Sequence, residues 1–556
     1  MTIPLPERTA AIGELPDPPA ALRASVVVPA RDEAELIGRC LDALGAQKGI
    51  EHAEYELLVV LDACVDTSAA EVARAADRYP ELRLFAIEGP GRGAGYARAR
   101  GMDLACERLE RVGMERGLIA STDADTHVAG DWLASQLRAL DHGADAVGGL
   151  IELGRDSADL DPAVLAIRER ELRERTELAR ASGPAVHAHF SGASLGVTPY
   201  AYRLAGGMAP RAALEDEELG RRIAAAGIPI HRIDEVRVTT SARRGGRAHR
   251  GLARDLEVRD WWTRRTYQHT DFPLEQLLAA KTCTVSVVLP AREVGKTIGA
   301  ILDRILPLER AGLIDELLVV DGSSRDSTRS ECHGRGVQVL DESQICVDLG
   351  RCRGKGDAMW RAASVTEGDV IAYLDGDTAD FTPAFVSGLL GPILTDPDVT
   401  LVKGKFRRSF TDSNGGRPDE GGRVTELAAR PLLNLHYPAL AGFAQPLAGE
   451  TAISRDLLEQ LSIPVGYGVE IAMLIDAYEL AGLDALAQVD LGHRQNDHQP
   501  LRALSAMAYQ VLAAVERRVR GEDVVAGSFV LQPNDSFETA PADCWERPPL
   551  RSLDDS

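Results

Sequence analysis

Apolar runs of strand length recur along the chain in a fixed order, and the whole order occurs twice. The run ASVVVPARDE at 24–33 is matched by VSVVLPAREV at 285–294, and each is interrupted by a proline. After each, LIGRCLDALGAQ at 36–47 and TIGAILDRILPL at 297–308 place apolar residues three and four apart. That spacing predicts an amphipathic helix behind each strand. A second apolar run with an acidic turn follows in both halves, LLVVLDACVDTS at 57–68 and LLVVDGSSRDST at 317–328. Further on, GLIA at 117–120 leads to Asp123-Ala124-Asp125, and VIAYL at 370–374 leads to Asp375-Gly376-Asp377. Self-similarity of this kind predicts two related modules. Alternating strands and helices imply a mostly parallel α/β sheet covered on both faces. Ligands gather at the carboxyl ends of such strands, where both acidic pairs fall.

The boundaries follow from where the periodicity stops. Residues 1–23 are rich in proline and small residues and read as a flexible lead-in. The first module occupies 24–245, a basic and helix-compatible linker 246–280, and the second module 281–520. Arg243, Arg244 and Arg247 belong either to that junction or to a basic lip over the first site. The glycine-rich stretch 411–422 reads as a mobile loop. Residues 521–556 lose periodicity and read as a C-terminal tail ordered in part at best.

Length agrees with this division, because 556 residues exceed one ordinary core and fit two domains of about 250 residues. The formal charge of −23 argues against a nucleic-acid binder, since no basic field would gather a phosphate backbone. It leaves small phosphorylated substrates open. The first twenty residues lack a basic start and a sustained apolar run, so they do not read as a signal peptide. No stretch has the length of a membrane span. Eight scattered cysteines without metal-ligand spacing fit a reducing, cytoplasmic location.

A carboxylate-X-carboxylate at a strand end can hold a divalent ion beside a diphosphate. Hard oxygen ligands suit Mg²⁺ or Mn²⁺. Asp125 and Asp377 are the candidate ligands, and the ion would neutralise charge on a departing diphosphate.

These residues carry a resemblance. The first module resembles family-2-like glycosyltransferases, which have the GT-A fold, a Rossmann-like nucleotide-diphospho-sugar transferase fold. The second resembles glucosyl-3-phosphoglycerate synthases, retaining glycosyltransferases of the same fold, over about 260–520. The blocks that carry the second likeness are GKGDAMWR at 354–361, LDGD at 374–377, GGRVTELAARPLL at 421–433, QPLAGE at 445–450, GYGVEI at 466–471 and AQVDLG at 487–492. The fold expected is therefore two tandem GT-A domains.

In the second module the resemblance implies that Pro290, Ala291 and Glu293 meet the nucleobase and ribose. Asp321 with Ser323 or Ser324 forms the next wall. Lys355, between two glycines, faces the diphosphate or the sugar, Asp375 the ribose or sugar, and Asp377 the metal. The family's histidine ligand falls at Asn496 here, with His498 nearby as the alternative. Gly422, Arg423, Val424 and Thr425 resemble an acceptor loop suited to phosphate, with Lys403, Arg407 and Arg408 as a basic wall. Leu447 offers a carbonyl, while Tyr467 and Glu470 shape the sugar pocket. In the first module Pro29, Arg31, Glu33, Asp62, Asp66, Arg92 and Asp123 occupy the donor positions. Asp216, opening a helical segment, stands where inverting relatives place the base that deprotonates the acceptor.

The activity expected is bifunctional. The second module would transfer glucose with retention to 3-phosphoglycerate, from UDP-glucose or an ADP- or GDP-linked donor. The first would be an inverting glycosyltransferase of unspecified acceptor. A mannosyl-3-phosphoglycerate or mannosylglycerate-type synthase and a nucleotidyltransferase are the competing readings. A homodimer is compatible with the sequence.

Overall fold

The computed structural model describes residues 15–154, 160–181, 184–243, 250–408, 410–412, 415–417, 422–494, 501–522, 528–531, 538–541 and 543–553. The chain divides into two compact units, Met1–Asp260 and Trp261–Ser556.

The first unit contains strands β1 (Ala24–Ala30), β2 (Tyr55–Leu61), β3 (Arg83–Glu88), β4 (Leu118–Ser121), β5 (Thr126–Val128), β6 (Ala146–Leu153), β7 (Leu195–Val197) and β8 (Ile230–Thr240). They form one mixed sheet in the order β3-β2-β1-β4-β7-β6-β8-β5. Only the pairs made by β7 and the β5–β8 pair are antiparallel. Alternate strand residues feed two separate cores. Val26, Val28, Leu57 and Val59 pack on one face, and Val27, Leu58 and Val60 on the other. A sheet buried on both faces reads as a continuous apolar run, which is why these strands were legible.

The second unit repeats the plan with β9 (Thr266–Gln268), β10 (Val285–Ala291), β11 (Glu316–Asp321), β12 (Gln338–Asp341), β13 (Val370–Tyr373) and β14 (Leu401–Arg408). A small hairpin, β15 (Phe410–Asp412) and β16 (Gly415–Arg417), stands in the stretch expected to be a loop. Then come β17 (Thr451–Ser454), β18 (Ile463–Pro464) and β19 (Leu486–Arg494). The sheet order is β12-β11-β10-β13-β17-β14-β19-β9. It differs from the first only at its last edge, where β9 lies parallel to β19, whereas β5 lies antiparallel to β8. Residues 266–268, within the stretch read as a linker, are thus a strand of the second sheet.

The prolines mark where the sheet opens. Pairing of β1 with β4 ends at Val27↔Ser121, and pairing of β10 with β13 ends at Val288↔Tyr373. Pro29 and Pro290 lie beyond these points, with a neighbour on one side only, where a missing N–H is tolerated. The crevice so formed lies beside each acidic pair.

The end of the chain is less loose than its composition suggested. Beyond the hairpin of β20 (Ser528–Leu531) and β21 (Glu538–Pro541), β22 (Glu546–Arg547) pairs with β18. No helix among the described residues is long and apolar enough to cross a membrane.

Candidate active sites

In the second unit a cleft of about 1080 Å³ opens at the carboxyl ends of β10 and β13. Its lining includes Pro290, Ala291, Glu293, Ser323, Lys355, Asp375 and Asp377 from the expected donor side. Gly422, Arg423, Val424, Thr425, Leu447, Tyr467 and Glu470 line it as well.

Lys355 opens the helix Lys355–Ala363. The glycine after it is a steric requirement, because a Cβ on Gly356 would stand 1.8 Å from Pro464 O. The ammonium lies 2.7 Å from Asp375 Oδ1 and 2.8 Å from Glu470 Oε1. Burial opposes its charge, but Asp375 and Glu470 outweigh burial and hold its pKa above the ordinary lysine value. Lys355 is therefore a permanent cation and hydrogen-bond donor. Asp375 is held from its other side by Arg494 Nη2 at 2.7 Å. Burial would raise its pKa, yet Lys355 and Arg494 together push it well below the usual carboxylate range. The backbone of Gly449 passes so close that a Cβ there would lie 2.3 Å from Asp375 Oδ1. Asp377 keeps 58% of its side chain exposed and is 3.4 Å from Arg494 Nη2. It is more accessible to a hard cation than Asp375 or Glu470, and Asn496 and His498 lie outside the described residues.

Two members of this network were missed in the sequence. Arg494 is buried and its Nη1 donates to Glu450 Oε2 at 2.6 Å. Glu450, in the QPLAGE block, is buried too, and burial raises its pKa against the pull of Arg494. Both stood inside segments singled out for other residues.

Other expected residues lie elsewhere. Lys403 does not line the cleft. It is buried, donating to Ala448 O at 2.5 Å and Thr451 Oγ1 at 3.1 Å, and burial lowers its pKa to about 8. A register shift opposite Lys405 and Arg407 places its extra residue in β19, between Asp490 and His493, so β14 keeps its alternation. Arg407 is exposed, while Arg408, on the same face as Phe406, lines the cleft. Asp321 is buried and accepts from Arg329 Nε at 2.5 Å and Ser324 N at 3.1 Å. Ser324 Oγ accepts from Glu293 N at 2.8 Å. Both residues shape the turn behind the cleft wall.

The first unit holds an analogous cation. Arg98, from the helix Ala94–Arg111, donates to Asp123 Oδ1 at 2.5 Å and Glu215 Oε1 at 2.9 Å. It also reaches Ser121 Oγ at 2.6 Å and Gly192 O at 3.0 Å. In each unit, then, a cation lies between the first carboxylate of the acidic pair and a glutamate on a later helix. Arg98 escaped the sequence reading because arginine in a helix is usually a surface residue.

Asp216 follows Glu215 in the helix Glu215–Ala225. Its Oδ2 accepts from Gly192 N at 2.8 Å, which fixes the carboxylate. Burial, then Glu215, raises its pKa, the direction a general base requires. Glu33 forms a two-pronged pair with Arg243, at 2.8 and 2.5 Å, and Arg243 also approaches Asp125 at 3.3 Å. A divalent ion at Asp125 would compete with this guanidinium. Arg244 and Arg247 lie outside the described residues. Asp62 accepts from Gly91 N and Gly93 N, each at 2.6 Å, and so shapes the glycine loop. Arg92, on that loop, is exposed and stacks 4.2 Å from the centre of Tyr96. Asp66 accepts from Ser68 and Ala34, as Asp326 accepts from Thr328 and Gly295 in the second unit. These aspartates stitch loops in both copies.

The chain matches known proteins in both halves. The glycosyl transferase family 2 model matches residues 25–198 and 286–445. Glucosyl-3-phosphoglycerate synthase of Mycolicibacterium smegmatis is 40% identical over 297 residues, 53% of this chain and 98% of that protein. The crystal structure of mannosyl-3-phosphoglycerate synthase from Rubrobacter xylanophilus is 42% identical with a TM-score of 0.49, covering 53% of this chain and 99% of that one. A crystal structure of glucosyl-3-phosphoglycerate synthase from Mycobacterium tuberculosis, in complex with Mn²⁺, UDP and glucosyl-3-phosphoglycerate, is 39% identical with a TM-score of 0.48, covering 52% and 99%. With two GT-A sheets and an acidic pair at the mouth of each, the chain belongs to glycosyl transferase family 2, and it is a hexosyltransferase with one domain that strongly resembles glucosyl-3-phosphoglycerate synthase.

Proposed function

We propose that the chain carries two glycosyl-transfer activities, and that the second unit makes glucosyl-3-phosphoglycerate. The observation that carries this reading is Lys355, held between Asp375 and Glu470 inside a cleft also lined by Arg423 and Thr425. A nucleoside-diphosphate glucose, with UDP-glucose the first donor to try, fills the side formed by Pro290, Ala291, Glu293 and Ser323. Arg423, Thr425 and Arg408 take the phosphate of 3-phosphoglycerate. Glu470 orients sugar hydroxyls. Asp377, with Asn496 or His498, would hold Mg²⁺ or Mn²⁺, which neutralises the diphosphate.

Transfer with retention then proceeds on one face of the sugar. The acceptor hydroxyl oxygen bonds to the anomeric carbon as the bond to the diphosphate breaks, and the hydroxyl proton passes to the departing diphosphate oxygen. Lys355 stays protonated throughout, so it stabilises charge and does not act as a base. Mass spectrometry of products from 3-phosphoglycerate and a panel of nucleotide sugars tests this, with NMR of the new linkage. A β linkage, mannose preferred over glucose, or release of pyrophosphate would sink it.

The first unit we read as an inverting transferase with Asp216 as base, its donor site formed around Pro29, Asp123 and Asp125. The full-length chain carrying Asp216→Asn should lose this transfer and keep donor binding, while the second activity continues. Unchanged transfer to every acceptor tried would remove Asp216 from the role.

A further inference from the structure

We propose that the first unit binds an anionic group of its acceptor, a phosphate or a carboxylate, on His189, Arg232 and Arg175 beside Asp216. This rests on reading Asp216 as the base of a transferase.

The segment before Gly192 runs along β8, tied by Arg232 N to Pro184 O at 2.9 Å and Val186 N to Arg232 O at 3.1 Å. It carries two histidines with ring centres 5.3 Å apart. Their hydrogen bonds fix their tautomers. His187 Nδ1 accepts from His189 N at 3.1 Å, so its proton is on Nε2, which donates to Ile233 O at 3.1 Å. His189 Nδ1 accepts from Ile151 N at 3.0 Å, so its proton is also on Nε2. Among the described residues that second N–H is buried with no hydrogen-bond partner, and so is Arg232 Nε. The two residues are neighbours. His189 O and the Arg232 stem both press on Gly148, where a Cβ would lie 2.2 and 3.3 Å from them.

Buried donors without acceptors are rare and costly, and a ligand oxygen would satisfy both. Three residues beyond His189, Gly192 N holds Asp216. From the helix Pro162–Arg180, Arg175 reaches within 3.5 Å of Glu217, the neighbour of Asp216. The segment that carries His189 and the helix that carries Arg175 thus each touch the first turn of the helix bearing Asp216, at Asp216 and Glu217. Burial, with the nearby charges of His187, Arg168 and Arg175, pushes His189 down to about 3, so it is a neutral donor at pH 7. Positive groups with spare N–H donors select an anion over a neutral sugar.

Hydrogen exchange of the full-length chain, read by mass spectrometry on peptides covering 162–180 and 184–192, tests this directly. Inorganic phosphate at millimolar concentration should slow exchange in these peptides, and potassium chloride of equal ionic strength should not. D-Glycerate and 3-phosphoglycerate, added separately, tell a carboxylate site from a phosphate site. Arg232→Gln and His189→Phe should each weaken the protection about tenfold, and Arg175→Gln, on an exposed helix face, gives a variant with little risk to folding. Protection by none of the three anions, protection by chloride alike, or unchanged titrations in all three variants would overturn the proposal. If phosphate protects while Asp216→Asn leaves transfer intact, the anion site stands and the reading of Asp216 as the base falls.

Discussion

Arg547 Nε lies 2.9 Å from Asp357 Oδ1, and its Nη2 lies 3.1 Å from Oδ2, so the end of the chain grips the helix that begins at Lys355. The same carboxylate accepts from Arg353 N at 3.0 Å and Arg361 Nε at 3.2 Å. Trp360 Nε1 adds a bond to Pro548 O at 2.9 Å. Asp357 and Arg547 are both buried. Breaking one partner of such a pair costs about 3–5 kcal/mol. Arg547→Ala should therefore lower the thermal midpoint. At temperatures where the variant stays folded it should still reduce transfer to 3-phosphoglycerate, by misplacing Lys355. Arg547→Lys, unable to form the fork, should recover only part. Normal turnover in folded Arg547→Ala would separate the tail from the site.

Lys355→Met should reduce transfer by the second unit roughly 10²–10³-fold, the loss typical of removing one preorganised donor to developing charge. The fold should survive, since Lys355 faces the cleft. Asp375 and Glu470 would be left without their shared cation, so donor affinity should fall as well. Steady-state kinetics with both substrates varied, beside circular dichroism, measures this. A loss confined to acceptor affinity would move Lys355 away from the diphosphate.

Asp377→Asn should raise the concentration of Mg²⁺ or Mn²⁺ that half-activates transfer, by at least tenfold. It should leave stability almost unchanged, because the side chain is mostly exposed. Chelation of the wild-type enzyme should abolish second-unit transfer, and added metal should restore it. Full activity in the chelated wild type would remove metal from the reaction.

Asp125 makes stability depend on pH in a defined window. Burial, then Asp123, pushes its pKa up to about 6, with Arg243 pulling the other way. Between about 4 and 6 the folded protein keeps a proton that the unfolded chain has released, so stability falls as pH rises through that window. Asp125→Asn removes this dependence. Its stability relative to wild type should rise by roughly 1–3 kcal/mol from pH 4 to pH 6 and stay level above. Denaturant titrations at several pH values read it. A difference that does not change with pH would refute the shift.

Much of the fold was legible because its sheets are buried on both faces. ASVVVPA and VSVVLPA are apolar throughout, and the helices behind them keep a helical period. Strand ends were legible as well, since acidic pairs follow them. The edge strand Thr266–Gln268 was not, because three residues carry no period and its partner, Gln488–Asp490, lies more than two hundred positions away.

The sequence by itself determined two GT-A modules, an acidic pair at the mouth of each, and the blocks containing Lys355, Asp377 and Glu470. Only the tertiary structure decided how the charges are shared. Arg98 and Arg494 are far in sequence from the carboxylates they hold, and nothing local tells a buried arginine from a surface one. Regular alternation along β14 puts Arg408 and not Arg407 on the cleft side, and only the folded position of Phe406 beside Arg408 tells which face that is. Burial of Lys403 was decided by Ala448 and Thr451, which only folding brings to it. Pairing between distant segments fixes which charges are desolvated together, and local pattern carries no record of that.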